Sequence, residues 1–350
     1  MEIDKLVEYP KLVEYPKLID YTKYFTPDVF KVDTITSFRY LVKDLIFYFL
    51  SISLLYNLHL FTNNWWLYLI LYNVISFVCG FFMWCLFVVA HDCGHGTFSK
   101  NTLINHIVGE FVNSGLLLTP WYPWKMSHHL HHLNHNHIKN DYSHVWFISS
   151  KKDKVFNHLI NRITYSLRWI QPFITWPMYL YLGQPDGGHL FLFGRLWKGK
   201  SIKEYARGYL SSSITLISMY LHYKYIGLVY LLPWIWYGWW LFSVTYLQHH
   251  HDGQIVYDKN WNYVDGAMQT IDRSYGLLID ETSHHITDCH VVHRLAFTKI
   301  PHYHLREATD QLVKGLKEDN LMNFYKYKNT GIFDIFPYFW NHWFFIDNVD

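Results

Sequence analysis

The sequence predicts an all-α, polytopic membrane protein: four transmembrane helices in two hairpins, carrying a cytosolic, histidine-rich helical cap. Three observations predict it. Apolar stretches come in two pairs; aromatic residues make up 20% of the 350 residues against 17% charged; and many of the 24 histidines gather at or between the ends of those stretches. The 16 Trp supply amphipathic rings of the kind that settle at membrane interfaces. A mean hydropathy of −0.04 is too low for a chain mostly buried in lipid, so a sizeable part of it faces water.

Taken in order, residues 5–22 repeat a hexad, Lys-Leu-Val-Glu-Tyr-Pro, twice and then in degenerate form. Pro10 and Pro16 break any continuous helix there. The reading is a weakly ordered segment over 1–36, one integrated membrane domain over 37–309 and a cytosolic C-terminal tail over 310–350. The runs 45–61 and 65–90 are apolar, and at about 1.5 Å per residue the second covers a bilayer core of about 30 Å. Only Thr62-Asn63-Asn64 separates them, which forces a tight hairpin. The runs 209–221 and 227–247 form the second hairpin, joined near Lys224. Two stretches between the hairpins, 107–124 and 169–182, are interrupted by proline or polar residues and are expected as interfacial helices. Two crossings before His91 and two between His132 and His249 leave every histidine cluster on one side. The 62–64 turn lacks Lys and Arg while the N-terminal region and 100–168 carry many, so that side is cytosolic. No apolar core followed by a small-residue cleavage site stands near Met1, so insertion is expected to use the first membrane helix.

Composition excludes several function classes. A net charge of +2 without a long Lys/Arg run makes nucleic acid no partner. Cys79, Cys85, Cys93 and Cys289 form no CxxC pair and suit a reducing cytosolic face. A histidine-rich metal transporter would place ionisable ligands inside its membrane helices, and 65–90 and 227–247 contain none. A membrane zinc protease needs HExxH, which is absent.

What remains is a metal constellation. His91 and His95 stand at i and i+4 just after the second apolar run, and one further helical turn would bring both imidazoles onto one face. His128, His131 and His132 repeat the helical spacing, as do His290 and His293. His249 ends the last apolar run. Eight imidazoles without a thiolate or carboxylate cage favour a first-row transition metal, whether iron, copper, nickel or zinc, and eight ligands are best used by two ions. Asp92, Asp141 and Asp288 are placed to orient the rings from outside. A lone HxxxH on an interfacial helix is usually just a polar pattern; three boxes at membrane-helix mouths are not. His59, His106, His158 and His222 are scattered and carry no such reading.

The segments HDCGHGTFS at 91–99, WKMSHHLHH at 124–132 and IPHYHLREAT at 300–309 resemble the membrane-bound acyl-lipid fatty acid desaturases of the Δ12/omega-3 type. So do TYLQH at 245–249, TIDRSYG at 270–276 and HHITDCH at 284–290. The similarity covers about residues 37–309. HDCGHG and NHNHIKND at 134–141 resemble the omega-3 branch, and 284–290 the Δ12 branch.

The resemblance implies two non-haem iron ions held by His91, His95, His128, His131, His132, His249, His290 and His293, with His284, His285, Arg294 and His302 among the residues around them. It implies O2-dependent insertion of a cis double bond into a fatty acyl lipid or acyl-CoA, in a multi-pass membrane protein, of the endoplasmic reticulum in a eukaryote. Neither an HPGG haem box nor a GxGxxG motif is present, so a separate electron donor, cytochrome b5 or a ferredoxin, is expected. A hydroxylase, acetylenase or conjugase on the same scaffold is the rival reading. One departure stands out: the family's third box is HxxHH, but here it reads HVVHR at 290–294. Arginine has no lone pair to offer a metal, so one iron lacks a ligand that relatives possess, a gap open to water, His284, His285 or a carboxylate.

Overall fold

Helices form where the apolar runs and their caps place them. The computed structural model describes residues 21–143, 147–148, 159–183, 188–251, 253–341, 345–346 and 348–349; most of the hexad repeat, at 5–20, lies outside them. Asp33 caps the helix Thr34–Tyr56, accepting from the backbone N–H groups of Ile35 and Thr36. Asn64 caps Trp65–His95 by accepting from Leu67 N–H. Ser201 and Glu204 form a reciprocal capping box at the start of Ile202–Tyr225, and Leu231–His249 follows after a short 3-10 turn. Side-chain acceptors at these positions satisfy amide donors that have no partner within the helix.

Trp65–His95 packs against Thr34–Tyr56 as the first expected hairpin and also against Leu231–His249, whereas Ile202–Tyr225 packs against Glu110–Leu116 and Trp121–Asn134 rather than along Leu231–His249, so the second apolar pair does not close as a hairpin of its own. The contact with Leu231–His249 is close because of Gly80: a Cβ there would lie 2.6 Å from Trp236 Cβ and 2.7 Å from the Tyr237 backbone nitrogen. Small residues at such crossings let two backbones approach. Aromatic side chains fill the rest of the seam, including Trp84 stacked on Trp240 with ring centroids 5.7 Å apart.

Among the described residues, one helix is by length and apolar composition alone able to cross a membrane, the 31-residue Trp65–His95. The other three run for 23, 24 and 19 residues. Arg39, Lys43 and Asp44 sit in the first half of Thr34–Tyr56, and Lys203, Glu204 and Arg207 open Ile202–Tyr225, which shortens their apolar parts. Leu231–His249 is rich in Trp and Tyr, which favour an interface over a lipid core. The helices nonetheless carry many exposed apolar side chains, among them Ile46, Leu50, Trp66, Ile70, Leu216 and Ile217.

The stretch expected as one interfacial helix over 107–124 is broken. Thr102–Gly109 continues into the π-helical turn Glu110–Leu116 and stops, with Leu118 at a positive φ of 57°; a new helix, Trp121–Asn134, starts after Pro120. The proline and the polar Thr119 end one helix and begin another. The 169–182 stretch is helical through Gln171–Pro177 and Met178–Leu182.

Residues beyond 309 pack into the cap. The helix Leu305–Glu318 buries Ala308, Leu312 and Leu316, Tyr327–Asn329 pairs in parallel with Asp272–Ser274, and Tyr325 Oη donates to Asp272 Oδ2 at 2.7 Å.

Candidate metal centre

His91 and His95 occupy the final turn of Trp65–His95, which runs one turn past the apolar core before Gly96 ends it in the left-handed region at φ 77°. Gly96 fits that conformation because it has no Cβ. His249 is the last residue of Leu231–His249. Above these two ends lie Trp121–Asn134, bearing His128, His131 and His132, and the short helix His290–Leu295.

The eight histidines divide into two groups, and helical phase decides the division. Residues at i and i+4 lie about 40° apart around a helix, whereas i+3 falls about 60° the other way. His91 with His95, and His128 with His132, are i, i+4 pairs, and these four join His293 so that one ring nitrogen from each lies within 4.8 Å of the others. His91 Nε2 and His95 Nε2 are 3.1 Å apart; His128 Nε2 and His132 Nε2 are 3.0 Å apart. Two nitrogens bound at right angles to one first-row metal at about 2.1 Å would stand about 3.0 Å apart. The donor set is therefore spaced as a metal centre requires, and it fits one ion.

His131, His249 and His290 form the second group, and a cation already stands among them. Arg294 Nη2 donates to His131 Nε2 at 2.5 Å and to His249 Nε2 at 2.7 Å, while its Nε donates to His290 Nε2 at 3.2 Å. The guanidinium is fully buried, and among the described residues no carboxylate reaches it at ion-pair distance. Burial draws its pKa down to about 10, which still leaves it protonated at neutral pH. Burial likewise holds the imidazoles of His128, His131, His132, His290 and His293 well below the ordinary histidine range, so they present neutral lone pairs.

The surrounding residues take distinct parts. Asp141 Oδ1 accepts from His131 Nδ1 at 2.6 Å, fixing the tautomer that turns Nε2 inward. Asp92 Oδ1 lies 3.8 Å from His91 Nδ1, and its other oxygen accepts from His302 Nδ1 at 2.8 Å. His284 is held by Asp44 at 2.6 Å and His285 by Asp288 at 3.0 Å; Asp288 also meets Arg306. Neither His284 nor His285 fills the third-box gap, because each is committed to a carboxylate outside both groups.

Sequence reasoning passed over Asp44 and Asp272. Asp44, fully buried, was visible as the lone acid within Thr34–Tyr56. Asp272 accepts from Val291 N–H at 2.7 Å and so anchors the first turn of the helix carrying His290 and His293; nothing in its spacing announced that. Asp141→Ala is expected to strand the His131 Nδ1–H, costing about 1–3 kcal/mol, read as a lowered melting temperature in detergent.

A cavity of about 500 Å³ opens beside the five-histidine group, lined by His95, Tyr122, Lys125, His132, Arg207 and Lys299 among others. Of the neighbouring aromatics Trp121, Tyr122 and Trp124, Tyr122 faces this cavity. Trp121 is fully buried, and Trp124 stacks on His128 with centroids 4.8 Å apart.

The comparisons with known proteins agree with this site. The fatty acid desaturase family model matches residues 63–326. The chain is 37% identical over 322 residues to the omega-3 fatty acid desaturase fat-1 of Caenorhabditis elegans, covering 89% of this chain and 76% of that one. It is 34% identical over 283 residues to the acyl-lipid omega-3 desaturase (cytochrome b5) of the Arabidopsis thaliana endoplasmic reticulum, covering 78% and 69%. It is 32% identical over 301 residues to the Δ12 fatty acid desaturase fat-2 of C. elegans, covering 82% and 76%. With the histidine boxes converged at the ends of two helices and the family match running from Trp65–His95 through the cap, this chain belongs to the fatty acid desaturase family of oxidoreductases.

Proposed function

We propose that this protein inserts a cis double bond at the omega-3 position of a fatty acyl chain. Relatives named as omega-3 desaturases support the position of the bond. The five-histidine group, built at a membrane-helix end and bordered by a cavity, carries the desaturase chemistry. Bound iron there would supply O2 activation, which acid–base side chains cannot replace because methylene C–H bonds are not acidic. The overall balance takes two hydrogens from the acyl chain, one O2, two external electrons and two protons, and yields the alkene and two waters.

The chain's own residues position and shield. Trp124 stacked on His128 and the burial of His91, His132 and His293 keep the rings in one arrangement and limit water. Lys125, Arg207 and Lys299 give the cavity a cationic lining suited to the phosphate of an acyl carrier, phospholipid or coenzyme A. The exposed apolar side chains of the helices support four membrane-embedded helices, with the histidine cap cytosolic in an endoplasmic reticulum membrane. Electrons would come from a separate carrier; relatives are named for cytochrome b5 and for ferredoxin.

Yeast expressing the intact chain and fed an omega-6 C18 diene is expected to accumulate the triene with its new double bond three carbons from the methyl end. Gas chromatography with mass spectrometry reads the outcome. An oxygenated fatty acid as main product would replace this reading with a hydroxylase, and a new bond at the Δ12 position of a monoene would move the regiochemistry.

A further inference from the structure

We infer that Arg294 stands in place of a metal ion, so that this protein holds one metal, in the five-histidine group, with a guanidinium as the built-in cation of the three-histidine group. The inference rests on the reading of the five-histidine group as a metal centre and departs from the two-iron count that the family implies.

Helical phase puts residue 294 where it is. It lies four residues after His290, on the same face of His290–Leu295, and one residue after His293, which points to the other group. Whatever side chain occupies position 294 therefore joins His290. A histidine there would add a fourth imidazole to His131, His249 and His290. Arginine instead sends a planar cation into the point where their Nε2 lone pairs converge.

The contacts exclude a metal at the same place. A first-row metal needs each Nε2 at about 2.0–2.1 Å along its lone pair. In this protein the lone pairs of His131, His249 and His290 already accept N–H groups of one guanidinium, at 2.5, 2.7 and 3.2 Å. Each imidazole nitrogen has a single lone pair, so it serves the arginine or a metal, not both. Charge repulsion acts in the same direction, since a divalent ion would have to sit against a buried positive charge.

Electrostatics explain why the substitution is tolerated. A buried cation without a partner is strongly destabilising. Three neutral imidazoles drawn from three separate helices accept from this one, and the Asp141 carboxylate, hydrogen-bonded to His131, favours its charge. Arg294 thereby ties Trp121–Asn134, Leu231–His249 and His290–Leu295 together, a task that the second metal would otherwise perform.

Occupancy and turnover are separate observables, and the test reads occupancy. The intact protein, purified in detergent and loaded with Fe(II) or Co(II), is counted for metal by mass spectrometry, and the Co(II) absorption bands are followed through a titration. Wild type is expected to saturate at one equivalent per chain, and Arg294→His to reach two. Two further variants keep the proposal open to refutation if Arg294→His fails to fold. His249→Ala is expected to retain the single metal, because His249 serves Arg294, whereas His293→Ala is expected to lose it. Two equivalents in wild type, or loss of the single metal in His249→Ala, would overturn the proposal while leaving the five-histidine centre standing. No bound metal in folded wild type would overturn both.

Discussion

Replacing His132 with alanine is expected to abolish desaturation and to empty the metal position. His132 Nε2 lies 3.0 Å from His128 Nε2 and belongs to the five nitrogens gathered within 4.8 Å, so its loss removes a donor rather than a supporting contact. Loss of an outer partner alone costs about 10–100-fold in metal affinity or activity; loss of a donor is expected to exceed about 100-fold. Lipid profiling of the expression host and metal analysis of the purified variant would both register it. His59→Ala is the control: His59 is exposed in the short turn after Thr34–Tyr56 and is expected to leave metal and product unchanged. Full activity in His132→Ala would sink the assignment of the five-histidine group.

Gly80→Leu is the second large effect, and it acts through packing. A Cβ at position 80 would press on Trp236 Cβ and on the backbone of Tyr237, neither of which is the free end of a flexible chain. Trp65–His95 and Leu231–His249 would have to separate, and those two helices carry His91, His95 and His249 at their ends. Overpacking of a well-filled core costs about 1–3 kcal/mol, and a leucine against backbone lies at or beyond the upper end. The expected result is a lower melting temperature in detergent together with lost activity, with Gly80→Ala showing the same direction at smaller size. A Gly80→Leu protein as stable and active as wild type would show that the two helices are not in close contact in the membrane.

Much of the site was legible because its logic is local. The i, i+4 spacing of His91 with His95 and of His128 with His132 is a statement about one helix turn, and each pair falls on one face as the period demands. The first hairpin was legible from its paired apolar runs and the three-residue turn at 62–64, whereas the packing of Ile202–Tyr225 away from Leu231–His249 was not. The interfacial helix expected over 107–124, a stretch whose proline and polar residues were noted in the sequence, is divided in two where Leu118 turns to positive φ and Pro120 starts a new helix. His284 and His285, adjacent to the third box in sequence, were plausible stand-ins for its missing ligand. Asp44, 240 residues away from His284, claims it instead, a pairing that spacing along the chain cannot express.

Arg294 marks the boundary between the two kinds of knowledge. The sequence by itself determined that this is a membrane desaturase with three histidine boxes, and that its third box ends in a residue unable to bind metal. Only the tertiary structure decided what that residue does, because His131 and His249 lie 163 and 45 residues from it. A helix period fixes which side chains share a face. Where three faces meet, and whether a metal or a guanidinium fills the space between them, depends on how separate helices pack.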